Sequence, residues 1–410
     1  MSDTLFMVFA IIWPLLLAAA MTQTTLRRIA LRLAPWAALP ALVIALGIGD
    51  STLHIPGTML NAVLRLDSTG RPFLILLSVL SLAAGLLAAE RPAKSLFGSP
   101  FVFFLMLSIS GATGLALAGD ALIFLTFGTL LGYSIYGMLV MASPVAVGAA
   151  RVFVIFLVVS DLALFELLLV LAHDAGGISF DTLRHSLLLG EIPGALLFLL
   201  ILSTGSKLGL IGFHFWLAPV FVHAAAPVRP MLVGFILGAG ILGWLRLLPL
   251  GEIYWPGAGQ LLRWLAVASL AYALVVGLLQ TQVRSLLAYV VMVFSALVLW
   301  SLGVTLETPT LWPEIITALH VAVMQAGYAL ALLFLLPGQL ETSAPAWQRH
   351  GIIVSGWFAV VLLVLSPVGI IAALAPNAPA KAMSLIGMGA AVALLAGRSL
   401  RLRNIMHITA

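Results

Sequence analysis

The chain has 410 residues, 63% of them hydrophobic and 8% charged, with a net charge of +5 and no cysteine. That much apolar sequence exceeds what a soluble core absorbs. The lack of cysteine removes disulfides, thiolate metal sites, Fe–S ligation and cysteine nucleophiles together.

Taken in chain order, apolar segments predict helices over 4–20, 33–49, 72–89, 97–119, 121–141 and 152–172. They continue over 194–217, 230–248, 264–282, 285–304, 311–337, 351–375 and 382–397. Many reach the roughly 20 residues that a spanning helix needs, and the mean hydropathy is +1.20. The expected fold is an all-α polytopic membrane protein with about thirteen spans, within a range of roughly 12–14.

The first segment has Asp3 before it and Arg27, Arg28 and Arg32 after it. That polarity is wrong for a cleaved secretory leader, so the segment is expected to stay as an anchor. The stretch from Asp50 to Arg71 is punctuated by Pro and Gly and is expected on the outer surface. Between His173 and Glu191, the run Ser179-Phe-Asp-Thr-Leu-Arg-His-Ser predicts a short interfacial helix with Ser179 or Asp181 as N-cap.

The pI near 9.9 suggests nucleic acid at first sight. The Lys and Arg are instead scattered between helices with no interleaved aromatics, so nucleic acid is not an expected partner. Their distribution gives an orientation. With the N-terminus outside and the C-terminus cytoplasmic, all nineteen are placed. Arg65, Arg71, Arg184, Arg246, Arg263 and Lys381 face outward, Lys207 lies in the membrane, and the larger remainder faces the cytoplasm, as the positive-inside rule requires.

Lys207 is the strongest functional signal. It sits in the apolar run Gly194 to Gly212, where a charge at mid-bilayer costs about 2.5–3.5 kcal/mol on insertion scales. Gly205, Gly209 and Gly212 loosen that helix, and Pro219, Pro227 and Pro230 interrupt the chain beyond it. Such breaks are tolerated at membrane depth only where freed backbone groups are buried in protein or line a cavity.

Asp161 lies mid-way along 152–172, and Glu166 is five residues on, near 140° around the helix at about 3.6 residues per turn. One of the two is expected to pair with Lys207. Burial and a nearby carboxylate pull a lysine in opposite directions, and a lysine poised between them takes up and releases protons. The bland alternative is a static buried ion pair. His214 comes two helical turns after Lys207 and shares its face if the helix continues, with His223 beyond the break and His320 inside a later span. Histidines suit a proton relay, although packing explains any single one. No spacing suggests a metal site or a cofactor, and nothing resembles a constellation for bond-making catalysis. Gly234-Phe-Ile-Leu-Gly238 reads as close helix packing.

Three ordered stretches carry a family resemblance. They are Lys207-Leu-Gly-Leu-Ile-Gly-Phe-His-Phe-Trp-Leu217 with its continuation to Pro249, Arg284-Ser-Leu-Leu-Ala-Tyr289, and Ala329-Leu-Ala-Leu-Leu-Phe-Leu-Leu-Pro-Gly338. The chain resembles the antiporter-like membrane subunits of respiratory complex I, Mrp cation/proton antiporters and membrane-bound hydrogenases, with a hydrogenase-type flavour, over residues 95–375.

The resemblance implies two inverted five-helix repeats, about 97–248 and 264–375, each with a broken helix. N-terminal helices over 1–95 precede this 96–375 core, and a last helix with a short basic tail occupies 376–410. The second break is expected near 311–338, with Met324-Gln-Ala-Gly-Tyr328 as its soft spot. The implied function is a subunit of a proton-translocating assembly, or less readily a sodium-translocating one, in the bacterial inner membrane. Other membrane and peripheral subunits would be its partners.

The chain departs from the family's pattern. The family's membrane Glu corresponds to Thr129, its next Lys or His to Gly238 or Leu232, and its later Lys to Leu330. Its C-terminal lateral helix is not expected here. Thr129, His223 and Gln325 are left as weak links of a path centred on Lys207, Asp161, Glu166, His214 and His320. The alternatives are a docking subunit that has lost translocation, and the membrane partner of a soluble zinc protein in inorganic-carbon uptake.

Overall fold

The computed structural model describes residues 2–55, 62–89, 99–189, 194–339 and most of 359–370. Within them the chain is a set of apolar helices. Eight are long and apolar enough to cross a membrane, and three shorter apolar helices cover Leu5–Ala20, Pro100–Ala116 and Gly194–Leu208. Every span expected before residue 340 has a counterpart here. The two expected over 351–375 and 382–397 lie wholly or largely outside the described residues, as does the C-terminal tail.

The chain divides into two compact units. The first comprises Met1–Leu208 and His223–Pro249, and the second Gly209–Val222 and Leu250–Ala410.

The first unit opens with α1 (Ser2–Ala20), α2 (Arg27–Leu33) and α3 (Leu39–Gly47). The span expected over 33–49 is thus two helices, parted by a 3-10 turn over Ala34–Trp36, where Pro35 cannot continue the first. The stretch after Asp50 holds two short antiparallel strands, β1 (Ser51–His54) and β2 (Val63–Leu66), which no sequence signal had suggested. They are one small hairpin in an otherwise helical fold, so the all-α membrane architecture expected from the sequence holds. Backbone bonds from Gly119 N to Val63 O and from Arg65 N to Leu117 O tie the hairpin down.

Next come α4 (Gly70–Ala89), α5 (Ser99–Ala116), α6 (Ala121–Ala142), α7 (Val147–Ala175), α8 (Phe180–Leu189) and α9 (Gly194–Leu208). Their ends obey local chemistry. Asp120 caps α6 by accepting from Ile123 N at 2.8 Å. Gly176, at φ 67°, closes α7 in the left-handed conformation that favours glycine. Ser179 Oγ accepts from Thr182 N at the start of α8, so of the two expected caps the serine serves.

After the segment that belongs to the second unit, the chain returns as α11 (Val228–Phe235), a π-helical turn (Ile236–Ile241) and α12 (Leu242–Leu247). This composite helix is buried along its whole length. A Cβ on Gly234 would lie 2.9 Å from Leu77 of α4, and one on Gly238 would lie 3.2 Å from it. The small residues therefore let α4 approach closely, as the spacing had suggested.

The second unit contains α10 (Leu217–His223), α13 (Pro256–Leu278), α14 (Val283–Glu307) and α15 (Trp312–Gln339), with α10's final histidine at the point where the chain leaves it. Here α14 is the buried helix. It crosses α13 where a Cβ on Gly259 would meet Gly303 O at 2.5 Å, so only glycine fits. The second helix break, expected near 311–338, is absent, because α15 runs through Met324–Tyr328 as one helix of 28 residues.

Candidate functional site

Lys207 stands in the last turn of α9, where a cation complements the unsatisfied carbonyls of a helix end. Gly209, at φ 65°, then turns the backbone into the left-handed region and stops the helix. Gly240 of the π turn makes room for this end, since a Cβ there would lie 2.7 Å from Leu208.

The ammonium is buried and faces α7. Lys207 Nζ donates to Asp161 Oδ1 at 2.8 Å and to Ser160 Oγ at 2.7 Å. The side chains are 3% and 9% exposed for Lys207 and Asp161, so solvent does not screen the pair. Ser160 Oγ in turn donates to Ser203 O at 2.7 Å, which links α7 back to α9 and turns the hydroxyl's lone pairs toward the lysine. Asp161 Oδ2 is buried and receives no hydrogen bond from the described residues. Tyr133 of α6 lies within electrostatic reach of the same carboxylate. Ser160 was missed in the sequence, where it looks like any small polar residue in an apolar helix.

Glu166 does not join this pair. It is exposed on a different face of α7.

The helix does not continue beyond Leu208, so Lys207 and His214 do not share a helix face, which corrects the two-turn expectation. From Gly209 to Val222 the chain belongs to the second unit. There Ile211 N donates to Ser269 Oγ of α13 at 3.1 Å, which satisfies a backbone group freed by the break. His214 lies in a 3-10 turn, buried, with its ring 4.4 Å from Tyr272 and 4.5 Å from Phe215. Tyr272 lies 6.4 Å from Tyr289 of α14. His223 is exposed at the end of α10, and His320 and Gln325 are half-buried on α15. Thr129 donates its hydroxyl to Thr126 O of its own helix at 2.8 Å.

A second polar cluster, also missed, gathers around the hairpin. Arg246, at the end of α12, binds both carboxylate oxygens of Asp67, and Asp67 caps α4 through Gly70 N at 2.7 Å. Arg65 of β2 forms a two-pronged pair with Asp181 of α8. Arg184 donates to the backbone carbonyls of Leu245 and Arg246. Burial opposes the charge on Asp67, but the Arg246 guanidinium and the Gly70 amide outweigh it and hold the carboxyl below its ordinary value. Asp181 is also held low, chiefly by its hydrogen bonds from Arg65. The available signal was that Arg65, Arg184 and Arg246 fell in one topological set. Among the described residues no group of three or more His, Asp or Glu is arranged to hold a metal ion.

With this geometry in hand, known proteins offer a comparison. The family described as NADH:quinone oxidoreductase/Mrp antiporter, TM matches residues 118–344. NADH-quinone oxidoreductase subunit N of Ectopseudomonas mendocina (strain ymp) is 27% identical over 241 residues, which are 56% of this chain and 49% of that protein. The chain thus spans about half the length of this relative.

Among solved structures, the Mrp complex from Dietzia sp. DQ12-45-1b superposes with a TM-score of 0.81 at 16% identity. That match covers 97% of this chain and 46% of the other. The membrane-bound sulfane sulfur reductase, an archaeal respiratory membrane complex, gives 0.77 at 17% identity, over 94% and 68%. At such identities the likeness is one of fold. The family match covers more than half of the sequence and includes both partners of the buried ion pair: the chain belongs to the NADH:quinone oxidoreductase/Mrp antiporter transmembrane family.

Proposed function

We propose that the chain is an antiporter-like membrane subunit of a multi-subunit, proton-translocating assembly, with a path centred on Lys207. One observation carries this reading: the ammonium is buried against Asp161 at the end of a short apolar helix. A cation in that setting exchanges its proton when its counter-charge moves or is neutralised. The open Oδ2 of Asp161 supplies an acceptor beside it, and Ser160 holds the donor in place. His214 with Tyr272, and His320, would extend the path in the second unit. Sodium is the less favoured ion. The assembly would sit in the bacterial plasma membrane, N-terminus outside, with repeats at about 97–248 and 264–375.

The relatives support this reading, since one is a subunit of NADH-quinone oxidoreductase and the others are chains of an Mrp complex and of a respiratory membrane complex. A second reading, the same fold with translocation lost, is favoured by α15. That helix is continuous and offers no second Lys207-like end.

The test is Lys207→Ala in native vesicles, with proton uptake followed by a fluorescent pH probe and assembly by native gel. Loss of uptake in a normally assembled complex is expected. Uptake at the parental rate would remove the pumping role.

A further inference from the structure

Helix α7 has two faces, and the outward one carries a residue that its surroundings do not explain. Asp161 and Ser160 turn inward to Lys207. The outward stripe is Ile155, Leu162, Phe165 and Leu169, exposed by 61%, 63%, 50% and 54% at helical spacing. Glu166 lies within this stripe and is exposed with it. At about 1.5 Å per residue it sits only some 7–8 Å along the axis from Asp161, the middle residue of α7. That depth is within a hydrocarbon layer roughly 30 Å thick. Unlike a long Lys or Arg, a glutamate two methylenes long does not reach the headgroups from there. Among the described residues its carboxylate has no ion pair and no hydrogen bond.

We propose that this face of α7 docks a transmembrane helix of a neighbouring subunit, which sets a Lys, Arg or His side chain against Glu166. The proposal rests on the reading that the chain works inside an assembly. Ionisable groups inside membranes pair with one another, and acyl chains offer no donor. Charge complementarity therefore selects a cationic partner. A second copy docked through this same face does not supply one among the described residues. Two copies joined α7 to α7 by an axis along the membrane normal keep each residue at its own depth, which sets Glu166 beside its own like charge. Helix α13 provides the contrast, because its exposed Leu261, Trp264, Val275 and Leu278 form a stripe without any ionisable group, as lipid requires.

The experiment places a photo-crosslinking amino acid at Leu162 or Leu169, with Val275 as control, in native membranes that carry the intact assembly. The expected product is one adduct from each α7 position and none from Val275. Peptide sequencing should map it to a membrane helix with Lys, Arg or His within one turn of the joined residue. Glu166→Leu should lower its yield about tenfold, the size of one charge-assisted hydrogen bond, and Glu166→Gln should lower it less. An adduct of two copies, an adduct with lipid alone, a partner helix without a cationic side chain, or a yield indifferent to Glu166→Leu would each overturn the proposal. Co-purification in mild detergent separates the two failures. Partners retained without an α7 adduct sink only the docking face, whereas a chain that purifies alone sinks the assembly reading with it.

Discussion

Helix α9 stops after 15 residues and α15 runs on for 28, although both are apolar helices that carry polar side chains. The difference lies in what replaces the backbone bonds of a continuing helix. After Leu208, two glycines at φ 65° and φ 85° take conformations that other residues resist, and Ser269 collects the amide of Ile211 between them. Around Met324-Gln-Ala-Gly-Tyr328, a single glycine stands among strong helix formers such as Ala and Leu, and Pro313 occupies the first turn, where its missing N–H costs nothing. A glycine permits a break. It takes a positive φ and a waiting acceptor to make one.

The largest expected effect tests the ion pair at the broken end. Asp161→Ala strands a buried ammonium and should lower stability by about 3–5 kcal/mol, read as thermal unfolding in detergent. The double variant Lys207→Met/Asp161→Leu should recover most of that loss, because two apolar groups need no partner. A single variant as stable as the parent would mean that the pair is relaxed by other groups, and the contrast with α15 would lose its electrostatic part.

The next effect belongs to the polar cluster at the hairpin. Arg246→Leu removes both hydrogen bonds to Asp67 and should cost about 1.5–3 kcal/mol. Its pH dependence comes from the direction of the Asp67 shift. The folded carboxyl titrates below its unfolded value of about 3.9, so its contribution is full above that pH and fades as pH falls through the folded value. Acid titration of unfolding should show this slope in the parent and a flatter one in Arg246→Leu. Equal slopes would mean that Asp67 owes little to the arginine.

A smaller effect comes from the backbone itself. Gly209→Ala forces a Cβ into the left-handed region, at a cost of about 1–2 kcal/mol. The nearest side-chain atom, on Leu217, would be 3.2 Å from the new Cβ, so crowding adds to the strain. A neutral result would show that the end of α9 is set by its partners rather than by glycine.

Much of this was legible in the sequence, for reasons tied to particular residues. Apolar length announced the spans, and Lys207 in such a run announced the buried charge. Asp161 was visible because it lies mid-span, and Ser179 because a cap precedes its helix. The features that stayed hidden depend on contacts distant in the chain. Ser160 earns its role only when α9 brings Ser203 and Lys207 beside it. The hairpin exists because Asp120 and Gly119, some 57 residues away, hold Val63. The extra turn at Ile236–Ile241 left only a glycine cluster as its trace, and that cluster also reads as packing. Periodicity carries no information about which of two glutamic or aspartic side chains will face a partner until the partner helix is placed.

The smallest expected effect bears on the unbroken helix. Gln325 is half-buried on α15, in the segment where the sequence suggested a break. Because the helix keeps its own backbone bonds there, no freed group depends on the amide. Gln325→Leu should therefore shift stability by no more than about 0.5 kcal/mol, as for substitutions away from special features. Proton uptake should stay close to the parental rate under the assay used for Lys207→Ala. A loss of uptake as deep as that of Lys207→Ala, with stability unchanged, would add Gln325 to His320 as part of the path on α15. The contrast between the broken α9 and the continuous α15 would then say nothing about where protons move, because the unbroken helix would matter as much as the broken one.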